Sequence, residues 1–183
     1  GVAGDNIYFT VTPSAMYTPE NPKRTTASGD AVQCYASGSE NGVYKYYFSM
    51  PDDAVTVSVS FAGPFDDVAA SDWFSAEVLR AYSAGLMTGT GERLFSPNAP
   101  ATRAMLVTIL HRLAGSPEAE GGGFSDVSGS AYYAAAVAWA SKNGVVEGYE
   151  DGSFRPDQPI TREQLAAVLY RYAMSRGVDV TAS

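Results

Sequence analysis

The chain has 183 residues, 45% of them hydrophobic and 12% aromatic, which suits one large domain or two modest ones with a real core. Its formal net charge of −8 excludes nucleic acid and anionic membrane surfaces as generic partners, because no basic cluster offsets phosphate charge. Cys34 is the only cysteine, which excludes an intramolecular disulfide and a thiolate metal cage and leaves it as a small buried apolar residue.

Residues 1–63 read as β structure. Ile7–Thr12 and Val55–Phe61 are rich in β-branched and aromatic residues, and the second alternates with period two. That alternation places Val55, Val57, Val59 and Phe61 on one half-buried face. Ala31–Tyr35 and Val43–Met50 are expected strands between them. The turns fall at Thr18–Pro22, Ser28–Asp30, Glu40–Gly42 and Met50–Asp53.

From Pro64 onward the period becomes helical. Phe74, Val78, Ala81 and Tyr82 share one face of a first helix, and Tyr133, Val137 and Ala140 share one face of another, with Trp139 on its flank. Both helices stop at glycine, Gly85 and Gly144, as a left-handed C-cap requires. A long loop comes after each, anchored by Phe95 or Phe154. A second helix then opens at Thr102 or Thr161, with stripes Leu106, Ile109, Leu110, Leu113 and Leu165, Val168, Leu169, Tyr172. These matching elements are a repeat at a constant offset of 59 residues, with 18 identities in 51 positions when 65–115 is set against 124–174. A unit used twice buries against its neighbour what it cannot bury alone. A Gly/Pro/Glu-rich linker from Gly115 to Gly123 joins the copies.

The motif with chemical potential is Thr102-Arg103 and its echo Thr161-Arg162. Threonine at an N-cap satisfies an orphan N–H, and Thr161-Arg162-Glu163-Gln164 fits a capping box. Capping does not account for the arginine, since the macrodipole disfavours a cation in the first turn. Two readings stay open. The guanidinium grips an anion beside free helix amides, or it pairs with an acid such as Asp126, Asp67 or Asp157.

Phe-x-Asp-Val, an aromatic-led helix, Gly-(x)3-Gly, a Phe-x-Pro loop and Thr-Arg together resemble the S-layer homology family over about 65–174. Together with the β reading of 1–63, the resemblance implies an α+β multidomain chain, a small antiparallel β module at 1–63 followed by all-α repeats over 64–183. Each repeat is helix–long loop–helix, part of a pseudo-threefold bundle whose third repeat is missing here. It further implies non-catalytic anchoring of a surface protein on a pyruvylated secondary cell-wall polysaccharide, outside the cell, with no cofactor. Carried over residue by residue, the family's arginine falls on Arg103 and Arg162 and its helix-opening aromatic on Trp73 and Tyr132. Thr102 and Thr161 accompany the arginines, and Tyr149, Ser153 and Arg155 lie in the second loop. The first copy departs from the pattern: Met105 replaces the motif acid, and Thr90–Leu94 lacks the Asp-Gly-Ser-Phe form. Asn41–Pro51 and the strand after it resemble β-repeat modules of large surface proteins, which implies a spacer.

Three rival classes are weaker. His111 lies at helical spacing in an apolar helix, which favours packing, and no second histidine exists to build a Ser-His or Cys-His site. Acids such as Asp126, Glu147, Glu150 and Asp151 could pair for sugar cleavage but read as solvated groups. Glu150-Asp151-Gly152 and Asp157 lack the alternating acids of an EF-hand, leaving a tight turn. An assembly module with Thr-Arg as caps only remains the main alternative, because two of three repeats expose an apolar face open to self-association. With no signal-like run at Gly1, the chain is expected to be an excised piece, with Gly177–Ser183 leading toward a further repeat.

Overall fold

A computed structural model describes residues 1–119 and 123–180. Part of the expected linker, 120–122, and the end of the expected tail, 181–183, lie outside the described residues. A small antiparallel β part is followed by four helices. By contacts the chain forms two compact units. The first comprises Gly1–Arg80 with Gly89–Pro97, and the second comprises Ala81–Thr88 with the chain from Asn98 onward.

In the first unit, β1 (Asn6–Val11), β5 (Val43–Ser49) and β4 (Tyr35–Glu40) form a three-stranded sheet in the order β1-β5-β4. The β4–β5 hairpin turns at Asn41 and Gly42, both at positive φ, the geometry that matches strand twist. One face buries Val11, Tyr46 and Cys34. Across the other face, Tyr8, Tyr47 and Tyr35 stack at 5.5 and 5.2 Å. Two shorter pairs complete the β part: β2 (Thr18–Pro19) with β7 (Phe61–Ala62), and β3 (Lys23–Thr26) with β6 (Val55–Ser58).

The strand expected at Ala31–Tyr35 instead begins at Tyr35, and Ala31 makes only an isolated bridge to Thr25. The expected Val55–Phe61 strand breaks at Val59–Ser60, because its two ends pair with different partners. Its apolar face is correspondingly open, with Phe61 40% exposed. Tyr17 is buried, and its hydroxyl meets the buried Ser75 hydroxyl at 2.8 Å, so the β part and the start of α1 (Ser75–Ser83) share one packed unit.

The second unit holds α2 (Arg103–Leu113), α3 (Ala134–Lys142) and α4 (Arg162–Ser175). Its core runs through Val107, Leu110, Val137, Ala140, Val145 and Phe154, with Val168 contributed by α4. Trp139 is in that core rather than on a flank, packed against His111 at 5.4 Å and Tyr172 at 6.3 Å. Gly144 closes α3 at φ 66°, with the Val145 N–H reaching back to the Ala140 carbonyl at 2.8 Å, and Gly85 closes α1 in the same way. His111 is buried and donates from Nε2 to the Pro117 carbonyl at 2.8 Å, a packing role.

Candidate functional site

The loop between α3 and α4 is shaped first by a carboxylate. Asp126 accepts from the Phe154 N–H and the Arg155 N–H, both at 2.7 Å. Arg155 stands at φ 57°, a conformation that costs free energy for a non-glycine residue, and the carboxylate fixes it there. Desolvation opposes ionisation of Asp126, but these backbone hydrogen bonds outweigh it and hold the carboxyl below its ordinary pKa. The first copy repeats the device: Asp67 accepts from the N–H groups of Phe95 and Ser96, at 2.8 and 2.7 Å, and Ser96 stands at φ 58°. These bonds lower the Asp67 pKa as well, the one from Phe95 most. Neither aspartate is the arginine partner that the sequence reading allowed.

Phe154, fully buried, hangs from this staple, and the turn before it is set by Asp151. Asp151 accepts from Ser153 Oγ at 2.5 Å, from the Ser153 N–H at 3.0 Å and from Arg155 at 3.0 Å, which brings its pKa down to about 2. The Arg155 guanidinium lies 3.8 Å over the Tyr149 ring. The Tyr149 hydroxyl donates to Gln158 Oε1 and accepts from Gln164 Nε2, each at 3.1 Å, tying the loop to the first turn of α4.

Arg103 is the cation at the centre of this arrangement, and it is only 6% exposed. Nε donates to the Phe154 carbonyl at 2.8 Å and Nη2 to the Glu147 carbonyl at 3.3 Å. Its guanidinium carbon sits 4.7 Å from the Phe154 ring centroid and 5.1 Å from that of Tyr149. Burial pulls its pKa below the ordinary arginine value and Arg155 adds to this, while Tyr149 and Asp126 work against it. The backbone takes part too: Arg103 N–H bonds to the Gln158 carbonyl and Ala104 N–H to the Pro156 carbonyl, both at 3.0 Å. The start of α2, from the first copy, is therefore plugged into the loop of the second. Thr102 caps it by accepting from Met105 N–H at 3.2 Å.

The equivalent start of α4 is open. Thr161 accepts from Gln164 N–H at 3.3 Å, and the Gln164 side chain returns the bond to the Thr161 N–H, completing the capping box. Arg162 is exposed, and no hydrogen bond or ion pair engages its side chain among the described residues. Tyr132 is 67% exposed, edge-on to Tyr133 at 5.0 Å, and desolvation, with Tyr133 and Asp157 nearby, raises its pKa. Trp73 is 90% exposed and edge-on to Phe74 at 5.5 Å.

Of the nine residues singled out from sequence, the structure thus gathers Arg103, Tyr149, Ser153 and Arg155 around one loop. Thr161 joins them through Gln164, and Thr102 caps the helix that Arg103 begins. Arg162, Tyr132 and Trp73 stand outside that network. Sequence reasoning missed Gln158 and the carboxylate staple, although Asp67 and Asp126 recur at the repeat offset. Among the described residues, no group of three or more His, Cys, Asp or Glu side chains is placed to hold a metal ion.

Fold and site thus define a small antiparallel β part followed by four helices, with the start of α2 anchored in the loop between α3 and α4. Residues 64–104 and 123–166 match the family model of the S-layer homology domain. These two consecutive segments of the chain belong to the S-layer homology family. It is similar to a cell surface protein of Thermoanaerobacter kivui, 26% identical over 138 residues, covering 72% of this chain and 18% of that protein. An endoglucanase of Bacillus sp. (strain KSM-635) is 35% identical over 115 residues, covering 62% of this chain and 12% of the enzyme. A cellulosome-anchoring protein of Acetivibrio thermocellus is 32% identical over 112 residues, covering 50% of this chain and 25% of that protein. The chain therefore spans a quarter or less of the length of these relatives. No helix among the described residues is long and apolar enough to cross a membrane.

Proposed function

We propose that the chain is an extracellular, non-catalytic anchoring module that binds an anionic, pyruvylated secondary cell-wall polysaccharide. Its family membership supports the surface role, as do relatives named for the cell surface and for anchoring. The matched region is shared with an endoglucanase of which it covers only 12%, which fits an accessory rather than a catalytic part. In this reading residues 1–63 are the spacer. Residues 64–183 hold the two repeats, about 65–115 and 124–174, which form part of a pseudo-threefold bundle.

The observation that carries the ligand assignment is the difference between two equivalent arginines. Arg103 spends its donors on backbone carbonyls, whereas Arg162 stands exposed at the start of α4 with its donors available. A planar fork beside first-turn amides suits a carboxylate such as a pyruvyl group. Tyr132 and Trp73 offer exposed rings for sugar contact, and Thr102, Tyr149, Ser153, Arg155 and Thr161 hold the surrounding loop and helix starts. Titration of the folded chain with wall polysaccharide, before and after removal of pyruvyl groups, tests the proposal. Binding that requires the pyruvyl group and is lost in Arg162→Ala is expected. Equal affinity for the stripped polymer would refute it.

A further inference from the structure

The starts of α2 and α4 carry the same Thr-Arg pair but are held by different means. The first turn of α2 is held from outside: the N–H groups of Arg103 and Ala104 bond to the Gln158 and Pro156 carbonyls, and the Arg103 guanidinium to those of Phe154 and Glu147. The N–H groups of Arg162 and Glu163 meet no such carbonyl among the described residues. The first turn of α4 is tied down by side chains of its own copy instead. The Tyr149 hydroxyl donates to Gln158 Oε1 and accepts from Gln164 Nε2, each at 3.1 Å. Gln164 Oε1 in turn accepts from the Thr161 N–H at 3.3 Å.

The loop end of this relay is itself braced. The Tyr149 N–H bonds to the Ser153 carbonyl at 2.8 Å, and the ring lies under the Arg155 guanidinium. Arg155 is held by Asp126 through its backbone and by Asp151 through its side chain. The relay thus passes the position of a fixed loop to the residue before Arg162.

The first copy lacks all three members at once. At the repeat offset Tyr149, Gln158 and Gln164 become Thr90, Ala99 and Met105. Thr90 keeps its hydroxyl within its own loop, on Ser96 Oγ at 2.6 Å and the Leu94 carbonyl at 3.4 Å. Alanine and methionine side chains have no N–H or O–H to donate. The three polar residues therefore occur together where the arginine is uncommitted and are replaced together where it is a buried brace.

We propose that Tyr149, Gln158 and Gln164 are positioning residues of the Arg162 carboxylate site. They fix the first turn of α4 without engaging the Arg162 donors, so less ordering remains to be done when the ligand binds. This rests on the ligand role given to Arg162 above and adds what holds that arginine in register.

Tyr149→Phe removes the hydroxyl and keeps the ring, and Gln164→Met installs the first copy's residue. Affinity for wall polysaccharide, with and without its pyruvyl groups, is measured for the parent, each variant and the double variant. Each single change should weaken binding of the pyruvylated polymer about five- to tenfold and narrow its preference over the stripped polymer accordingly. The double variant should lose little more than either, and Tyr149→Phe should have no further effect in an Arg162→Ala chain, as one connected relay requires. Without ligand, the Thr161 amide should exchange faster in Tyr149→Phe while a thermal melt shows the chain still folded. A Tyr149→Phe chain that keeps the parent's preference for the pyruvylated polymer would overturn the positioning role and leave the anchoring proposal standing. A parent with no such preference would remove the anchoring proposal and this one with it.

Discussion

Replacing Arg103 by alanine separates a brace from a ligand contact. The side chain is 6% exposed and makes two hydrogen bonds to carbonyls, one of them on the fully buried Phe154. Stripping the partner from a buried acceptor costs about 1–3 kcal/mol, and losing a cation–π contact in a desolvated place costs about 1–2 kcal/mol more. Against this, the folded state no longer carries a partly desolvated charge, the same desolvation that lowers the arginine pKa. The net expectation is a loss of about 2–4 kcal/mol. For a chain of this size that corresponds to a fall in melting temperature of roughly 5–12 °C. Arg103→Lys should recover only part of the loss, since a single ammonium cannot reproduce the fork lying on two rings. Arg162→Ala is the control. Its side chain is exposed and makes no hydrogen bond or ion pair among the described residues, so its melt should stay within about 0.5 kcal/mol of the parent, while polysaccharide affinity falls about 10-fold or more. Thermal and urea melts measure the first quantity and calorimetric titration the second. An Arg103→Ala chain that melts like the parent would refute the brace, and an Arg162→Ala chain that unfolds would show that α4 depends on its arginine.

Acid should destabilise the fold through Asp67, Asp126 and Asp151, whose folded-state pKa values are all lowered. Their contribution is complete above the unfolded value of about 3.9 and fades as pH falls below it, down to about 2 for Asp151. Urea melts at a series of pH values should show this slope, and Asp126→Asn should flatten it. Gly148→Ala should cost about 1–3 kcal/mol in a urea melt, because an added Cβ would run into the Phe124 ring and come within 2.9 Å of the Ser153 carbonyl oxygen. Thr161→Ala should remove about 1 kcal/mol of stability by deleting the capping hydroxyl, and helix-resolved hydrogen exchange should place that loss at the start of α4.

The helical half was legible because its signals are local. Threonine caps, glycine stops and the apolar stripes all act within a few residues, and the observed α2 and α4 begin directly after Thr102 and Thr161. The role of Arg103 was not legible, because its partners are the carbonyls of Glu147 and Phe154, and backbone acceptors leave no mark in a sequence. The aspartate staple could have been found. A Phe-x-Asp-Val motif repeated at a fixed distance before a Phe-x-Pro loop signals a carboxylate tied to that loop, and a side-chain ion pair was the wrong partner to seek. In the β part, β4 is exposed along its whole length, so no alternation marks it. Val55–Phe61 alternates well, yet it divides between two partners that local pattern does not reveal.

Identical motifs acquire different chemistry here because their neighbours in space differ. Thr-Arg after a proline loop caps a helix in both copies, but its guanidinium is engaged only where a neighbouring loop offers carbonyls. For Arg103 the second copy offers them, whereas Arg162 has none among the described residues.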